Sequence, residues 1–213
     1  MKYPVVYSYK KSKTRELELS IESLRNIAEW DGRIFIIGDK PYFEGDFTHL
    51  PIAYDWGKKS QVKSNDEVCA YLTAADLLKE FIIMADDIYI LKPWGLRYHH
   101  RGTLTEQADS RSKISGYGRQ LRKTKDFLAS HGERIRSYEM HIPFRVRSVQ
   151  LKESADMIRR GEPMLIRSLM GNWYQIPSTL AEDPKNQPLT DETVLYSSQD
   201  STFDYEKVRK FLK

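Results

Sequence analysis

The 213-residue chain has a single cysteine, Cys69, so no disulfide can form within it. Its thiol chemistry suits a reducing compartment, and a cytoplasmic protein is the expectation. Nowhere do about 18 apolar residues run together, so no membrane-crossing helix is predicted. The opening residues MKYPVVYSYKK lack the apolar core of a signal peptide. No Walker motif, CxxC or HExxH occurs, and no GxGxxG follows the first strand. These gaps exclude P-loop nucleotide hydrolysis, zincin chemistry and a dinucleotide fold of the usual fingerprint. The net charge of +4 is too small an excess to argue for nucleic acid by itself. Low-complexity linkers and internal repeats are also missing. One domain over residues 1–213 is therefore expected, with a regular half at 1–95 and a less regular half at 96–213.

What is present is an alternation of short apolar runs with amphipathic stretches. Residues 4–9 are β-branched and aromatic and predict a strand. Leu17, Ile21, Leu24 and Ile27 or Ala28 recur at helical spacing, with Thr14 as a cap. Residues 33–39 and 49–54 predict two more strands, separated from the first by turns. Val68, Tyr71, Leu72, Ala75 and Leu78 line one side of a helix over 65–78. A further apolar run over 80–91 is interrupted by Asp86-Asp87. This order predicts an α/β fold with a mostly parallel central sheet flanked by helices, in which residues 81–85 form the central strand. The later part is less regular. It offers a basic segment over 110–136 with a helix at 118–130, an extended or turn segment at 141–144, and a helix at 152–161. A loop at 177–192 and a short terminal helix from 204 complete it.

Asp86 and Asp87 are the strongest chemical signal. Ligands of parallel sheets bind outside the carboxyl ends of the strands. Two adjacent carboxylates there repel each other unless a cation or hydrogen bonds offset them. A hard divalent ion carrying diphosphate oxygens meets that need, whereas the bland reading is a solvated turn. His141, in Tyr138-Glu139-Met140-His141-Ile142-Pro143, is a candidate general base, set against a packed loop histidine. His99-His100 carries no metal spacing and is read as surface. Arg15, with Lys10, Lys11 and Lys13, crowds the start of the first helix, where phosphates bind. Arg167 and Asn172 are polar groups inside an apolar stretch, or parts of a structural turn at Gly171. Cys69 is read as core rather than nucleophile.

Four blocks in series resemble a glycosyltransferase-A type domain, in particular the Stealth group of sugar-phosphate transferases. They are Val5-Val6-Tyr7-Ser8-Tyr9, then Arg15-Glu16-Leu17 with Ser20-Ile21-Glu22-Ser23-Leu24. Phe81 through Pro93, with its Asp-Asp, is the third, and Glu139-Met140-His141-Ile142-Pro143 the fourth. The resemblance spans about half of the chain. It implies Mn²⁺ or Mg²⁺ on Asp86 and Asp87, a nucleotide-sugar donor, and transfer of a sugar or sugar-1-phosphate to an acceptor hydroxyl. It also implies His141 and Asp87 as catalytic residues. The donor-binding positions expected are Tyr9, Lys10, Arg15, Asp39, Asn65, Arg167 and Asn172. The chain departs from the group after its first strand, where Lys10-Lys11-Ser12-Lys13 replaces a Trp-Val-Asp-Gly type loop. Its compactness is similar to that of bacteriophage-encoded relatives, which would act in the host cytoplasm. The rival expectation is a non-catalytic nucleic-acid-binding module built on the basic segment with Tyr117 and Phe127. The two merge if the acceptor is DNA.

Overall fold

The first 90 residues build a βαβ-type layer in which every apolar run finds a place. In the computed structural model, β1 (Val5–Tyr9), α1 (Glu16–Asn26), β2 (Ile34–Gly38) and β3 (Thr48–Pro51) are followed by α2 (Ser60–Leu77), β4 (Glu80–Met84) and β5 (Ile88–Ile90). The later part adds β6 (His99–His100), α3 (Leu104–Asp109), α4 (Gly116–Ser130), β7 (Phe144–Arg147) and α5 (Ser148–Arg159). It ends with α6 (Ile166–Trp173), β8 (Thr179–Leu180), β9 (Leu195–Ser197) and α7 (Tyr205–Arg209). The structure describes residues 3–12, 14–26, 30, 32–52, 60–112, 114–132, 135–159, 164–185, 187–199, 201 and 203–212; the side chains of 26, 60–65 and 159 lie outside this description. The expected helical positions Ile27 and Ala28, and strand positions 53 and 54, fall outside it as well.

The main sheet has the order β3-β2-β1-β4-β7. β1 pairs parallel with β2 and β4, and β2 pairs parallel with β3, while β7 runs antiparallel to β4. The central strand is thus β1 rather than β4, because β7 is the last addition to the sheet and leaves β4 one place from the edge. β4 remains an interior strand with apolar neighbours on both faces. Its side chains divide by period two: Phe81 and Ile83 enter the larger core cluster, and Ile82 and Met84 the smaller. β2 divides likewise, Phe35 and Ile37 against Ile34 and Ile36. Both faces are covered, as a mostly parallel sheet requires. α2, α4, α5 and α6 contribute to the larger cluster, and Leu17 and Leu24 of α1 to the smaller.

Several local expectations change. Cys69 is exposed, not core. Val68, Tyr71, Ala74, Ala75 and Leu78 define the buried face of α2, and Cys69 falls on the opposite one at 100° per residue. Residues 166–173 form a helix instead of a turn at Gly171. Gly171 serves packing there, since a Cβ would meet the Tyr138 ring at 2.4 Å. The Thr14 hydroxyl donates to the Glu16 carboxylate at 2.8 Å rather than accepting from the first turn of α1. The expected loop at 177–192 contains β8, which pairs with β6, so His99 and His100 are half-buried strand residues and not open surface.

Candidate functional site

β4 stops at Met84 because the chain turns: the Ile88 amide donates to the Ala85 carbonyl at 3.3 Å. Beyond this turn β5 leaves the main sheet and pairs antiparallel with β9. Asp86 and Asp87 occupy the turn, at the carboxyl end of β4. The parallel strands β1 and β2 end on the same side. There the Asp39 amide donates to Tyr9 O at 3.0 Å, and the Lys11 amide donates to Asp39 Oδ2 at 2.9 Å. Tyr9 is buried, and burial pushes its hydroxyl above the ordinary value. The charges of Asp86 and Asp39 add to that shift. Tyr9, Asp39 and Asp86 therefore share one electrostatic neighbourhood, with exposed Lys10 on the loop between β1 and α1.

The segment after β8 reaches back to this edge. Lys185 Nζ donates to Asp87 Oδ2 at 2.7 Å, with both side chains largely shielded from solvent. Two residues earlier, Asp183 gathers four donors. His141 Nδ1 lies 3.1 and 3.0 Å from its two oxygens, and the His141 amide reaches Oδ1 at 3.1 Å. Arg101 Nη1 reaches Oδ2 at 3.0 Å and the Lys185 amide Oδ1 at 3.2 Å. Burial alone would raise the Asp183 carboxyl. The hydrogen bonds and charge of His141, with the backbone donors, outweigh it and hold the group down at about 2. An anionic Asp183 needs a proton on Nδ1, which leaves His141 Nε2 as the basic nitrogen.

His141, Asp183, Arg101 and Lys185 line a cavity of about 790 Å³, together with Arg111, Gln107 and Glu182. Asp87 stands behind Lys185 and does not line it. The structure thus brings His141 and Asp87 to one region through Lys185 and Asp183. Asp183, Lys185 and Arg101 were not singled out by the sequence reading. Glu182-Asp183-Pro184-Lys185 looks like any polar turn, and its partners lie 42 to 98 positions away.

The remaining candidates have other employments. Arg167 Nη1 donates to Met140 O at 2.7 Å and Ile142 O at 3.2 Å, the two carbonyls flanking His141. It positions the His141 loop, with help from Ser168, whose amide donates to Glu139 Oε1 and whose hydroxyl accepts from the Tyr138 amide. Asn172 is buried, accepts from the Arg136 amide at 2.7 Å and donates to the Arg136 and Ser168 carbonyls. Those bonds account for it without a ligand. Arg15 pairs with Glu18 at 2.6 Å and lies 4.2 Å over the Tyr205 ring. A phosphate there would have to compete with Glu18. Asn65 lies in α2, with its side chain outside the described residues. In the basic segment, Arg122 donates to Ala108 O and Ser112 O, and Arg119 to Ile114 O. Arg122 therefore ties α4 to α3.

The donor set at Asp86 and Asp87 has the chemistry of a divalent-ion site. It consists of hard oxygens, and Lys185 brings one ammonium to Asp87. The field of Asp86 also contributes to raising the buried Tyr7 and Tyr9 hydroxyls. Among the described residues no three His, Cys, Asp or Glu side chains gather as a ready cage. Mg²⁺-type ions on phosphates are commonly held by only one or two carboxylates, so the pair suffices for that mode.

No known family profile matches the chain, and no curated protein matches it in sequence. Among solved structures it is similar to the apo-form glycosyltransferase GlyE of Streptococcus pneumoniae TIGR4, with a TM-score of 0.27 and 12% identity over 77% of this chain. It is also similar to the PaToxG glycosyltransferase, with a TM-score of 0.27 and 12% identity over 62% of this chain. The matches span 45% of the first protein and 60% of the second. No helix among the described residues is long and apolar enough to cross a membrane.

Proposed function

We propose that this chain transfers a sugar, or a sugar-1-phosphate, from a nucleotide-sugar donor to an acceptor hydroxyl, in the manner of a glycosyltransferase-A or Stealth-type enzyme. One observation carries the reading. A histidine oriented by a half-buried carboxylate opens onto a cavity whose lysine is bonded to the acidic turn beyond a parallel strand. The acidic turn is the donor edge and the histidine the acceptor edge. Mn²⁺ or Mg²⁺, when bound at Asp86 and Asp87, would offset the charge developing on the departing nucleotide.

His141 Nε2 accepts the acceptor hydroxyl proton as the new bond to oxygen forms and the donor's bond to its leaving phosphate breaks. Asp183 keeps the imidazole in the right tautomer and stabilises it once protonated, because it stays ionised down to about 2. Arg101 balances the charge of Asp183 through the Oδ2 oxygen that it shares with the histidine. Arg167 fixes the carbonyls on either side of His141 and so sets the depth of the ring. A hydroxyl on a sugar, a lipid or a modified DNA base would each supply the required proton.

The test is thermal unfolding with a panel of nucleotide-sugars, with and without Mn²⁺, followed by product analysis of the stabilising donor. We expect one donor to raise the melting temperature. With that donor, His141→Ala should lower turnover by roughly 10²–10⁴ while sparing donor affinity. Stabilisation by nucleic acid alone, with no response to any nucleotide-sugar, would overturn the proposal in favour of a binding module.

A further inference from the structure

We propose that Lys185 is a donor-phosphate ligand that the free protein stores on Asp87. The inference rests on the transferase reading above and names a residue of that same site. Three observations lead to it.

The first is position. Lys185 lines the cavity while Asp87 stands behind it, so the ammonium lies between the acidic turn and the open space. The second is anchoring. Lys185 bridges in parallel to Ser197, its amide donates to Asp183 Oδ1 at 3.2 Å, and the Ser197 amide donates to Pro184 O at 3.3 Å. The backbone is held, so only the four-carbon stem has to turn. The third is charge. Asp86 and Asp87 carry two negative charges, and Lys185 brings one positive charge to Asp87. A divalent ion arriving at Asp87 must take the oxygen that Lys185 now holds.

The displaced ammonium keeps three donors and its charge, and an oxyanion is the strongest partner for both. Asp183 is already shared by Arg101 and His141. Glu182 is exposed at the rim of the cavity. The donor's phosphate, brought to the acidic turn, is the anion that arrives together with the cation. Lys185 thus exchanges one oxyanion for another. In the free protein it balances the Asp87 carboxylate, and with donor bound it adds a charge-assisted hydrogen bond to the leaving group.

Calorimetry on the full chain tests both halves. Mn²⁺ is titrated first without nucleotide into the natural protein, Lys185→Met and Lys185→Arg. Then UDP, GDP, ADP and dTDP are titrated at saturating Mn²⁺. Removing the competitor should tighten Mn²⁺ binding in Lys185→Met by between about 5- and 150-fold, the usual range for coupled sites. The same variant should bind the preferred nucleoside diphosphate about tenfold more weakly or worse, by loss of one charge-assisted bond. Lys185→Arg should restore most of that nucleotide affinity.

Unchanged or weaker Mn²⁺ binding in Lys185→Met overturns the proposal, as does unchanged nucleotide affinity. Should Lys185→Met fail to fold, Lys185→Gln takes its place in both titrations, with the same expected and overturning results. The transferase reading fails on a separate result: no nucleoside diphosphate or nucleotide-sugar binds the natural protein, with or without Mn²⁺.

Discussion

Replacing Asp183 with asparagine tests the centre of the site without knowledge of any substrate. The carboxylate accepts from the His141 ring and amide, from Arg101 and from the Lys185 amide. Arg101 loses its anionic partner in the variant, and its guanidinium is only 14% exposed. Stranding one member of a buried pair costs about 3–5 kcal/mol, and partial exposure on both sides reduces this to about 2–3 kcal/mol. The pH dependence gives an independent estimate. The carboxyl sits at about 2 instead of its ordinary 3.8. That gap corresponds to about 2 kcal/mol of stability by linkage. A depressed carboxyl contributes its stability above the unfolded value and loses it as pH falls through the folded one. The contribution is thus whole at pH 6, begins to fade below about 3.8, and is mostly gone by about 2. Urea unfolding of both proteins between pH 6 and pH 2.5 should show the variant about 2–3 kcal/mol less stable at pH 6, with a narrowing difference at the acid end. A constant difference across that range would show that the asparagine acts by shape alone. No difference at pH 6 would refute the four-donor arrangement itself.

Three further outcomes follow from the packing around this centre. Gly171→Ala should lose about 1–3 kcal/mol in thermal unfolding, because its Cβ meets the buried Tyr138 ring at 2.4 Å; an unchanged melting temperature would mean that α6 can slide away from Tyr138. Tyr138→Phe should cost about 1–2 kcal/mol in denaturant unfolding, since its hydroxyl donates to Ile176 O at 2.7 Å and that carbonyl would be left without it. Arg122→Glu should destabilise α4 as read by circular dichroism melting, whereas Arg119→Glu, which bonds the carbonyl of exposed Ile114, should leave the melt nearly unchanged. Equal effects of the two charge reversals would contradict the assignment of Arg122 to the α3–α4 junction.

What the sequence made legible was what local patterning controls. The unbroken apolar run at 81–84 reports a strand covered on both faces, and the apolar spacing in 68–78 reports the inner side of a helix, and the folded chain obeys both. The acidic turn was legible for the same reason, since Asp86-Asp87 breaks an apolar run and a strand of that kind must end there. Sheet order was less legible. Only the antiparallel return of β7, some 60 residues after β4, decides that β1 lies in the middle, and nothing local in Phe144–Arg147 says where it will pair. The polar groups divided by a sharper rule. Arg167 and Asn172 were noticed because they interrupt apolar sequence, and that interruption proved to be their function: buried carbonyls and amides of the 136–142 segment need partners there. Asp183 and Lys185 escaped notice because a polar residue among polar neighbours carries no such contrast. Their significance comes from the folded chain, which lays residues 183–185 between Asp87 and His141 and gives a surface-looking turn the central ionic contacts of the cavity. A loop that supplies its charges to partners in other elements is held by those partners.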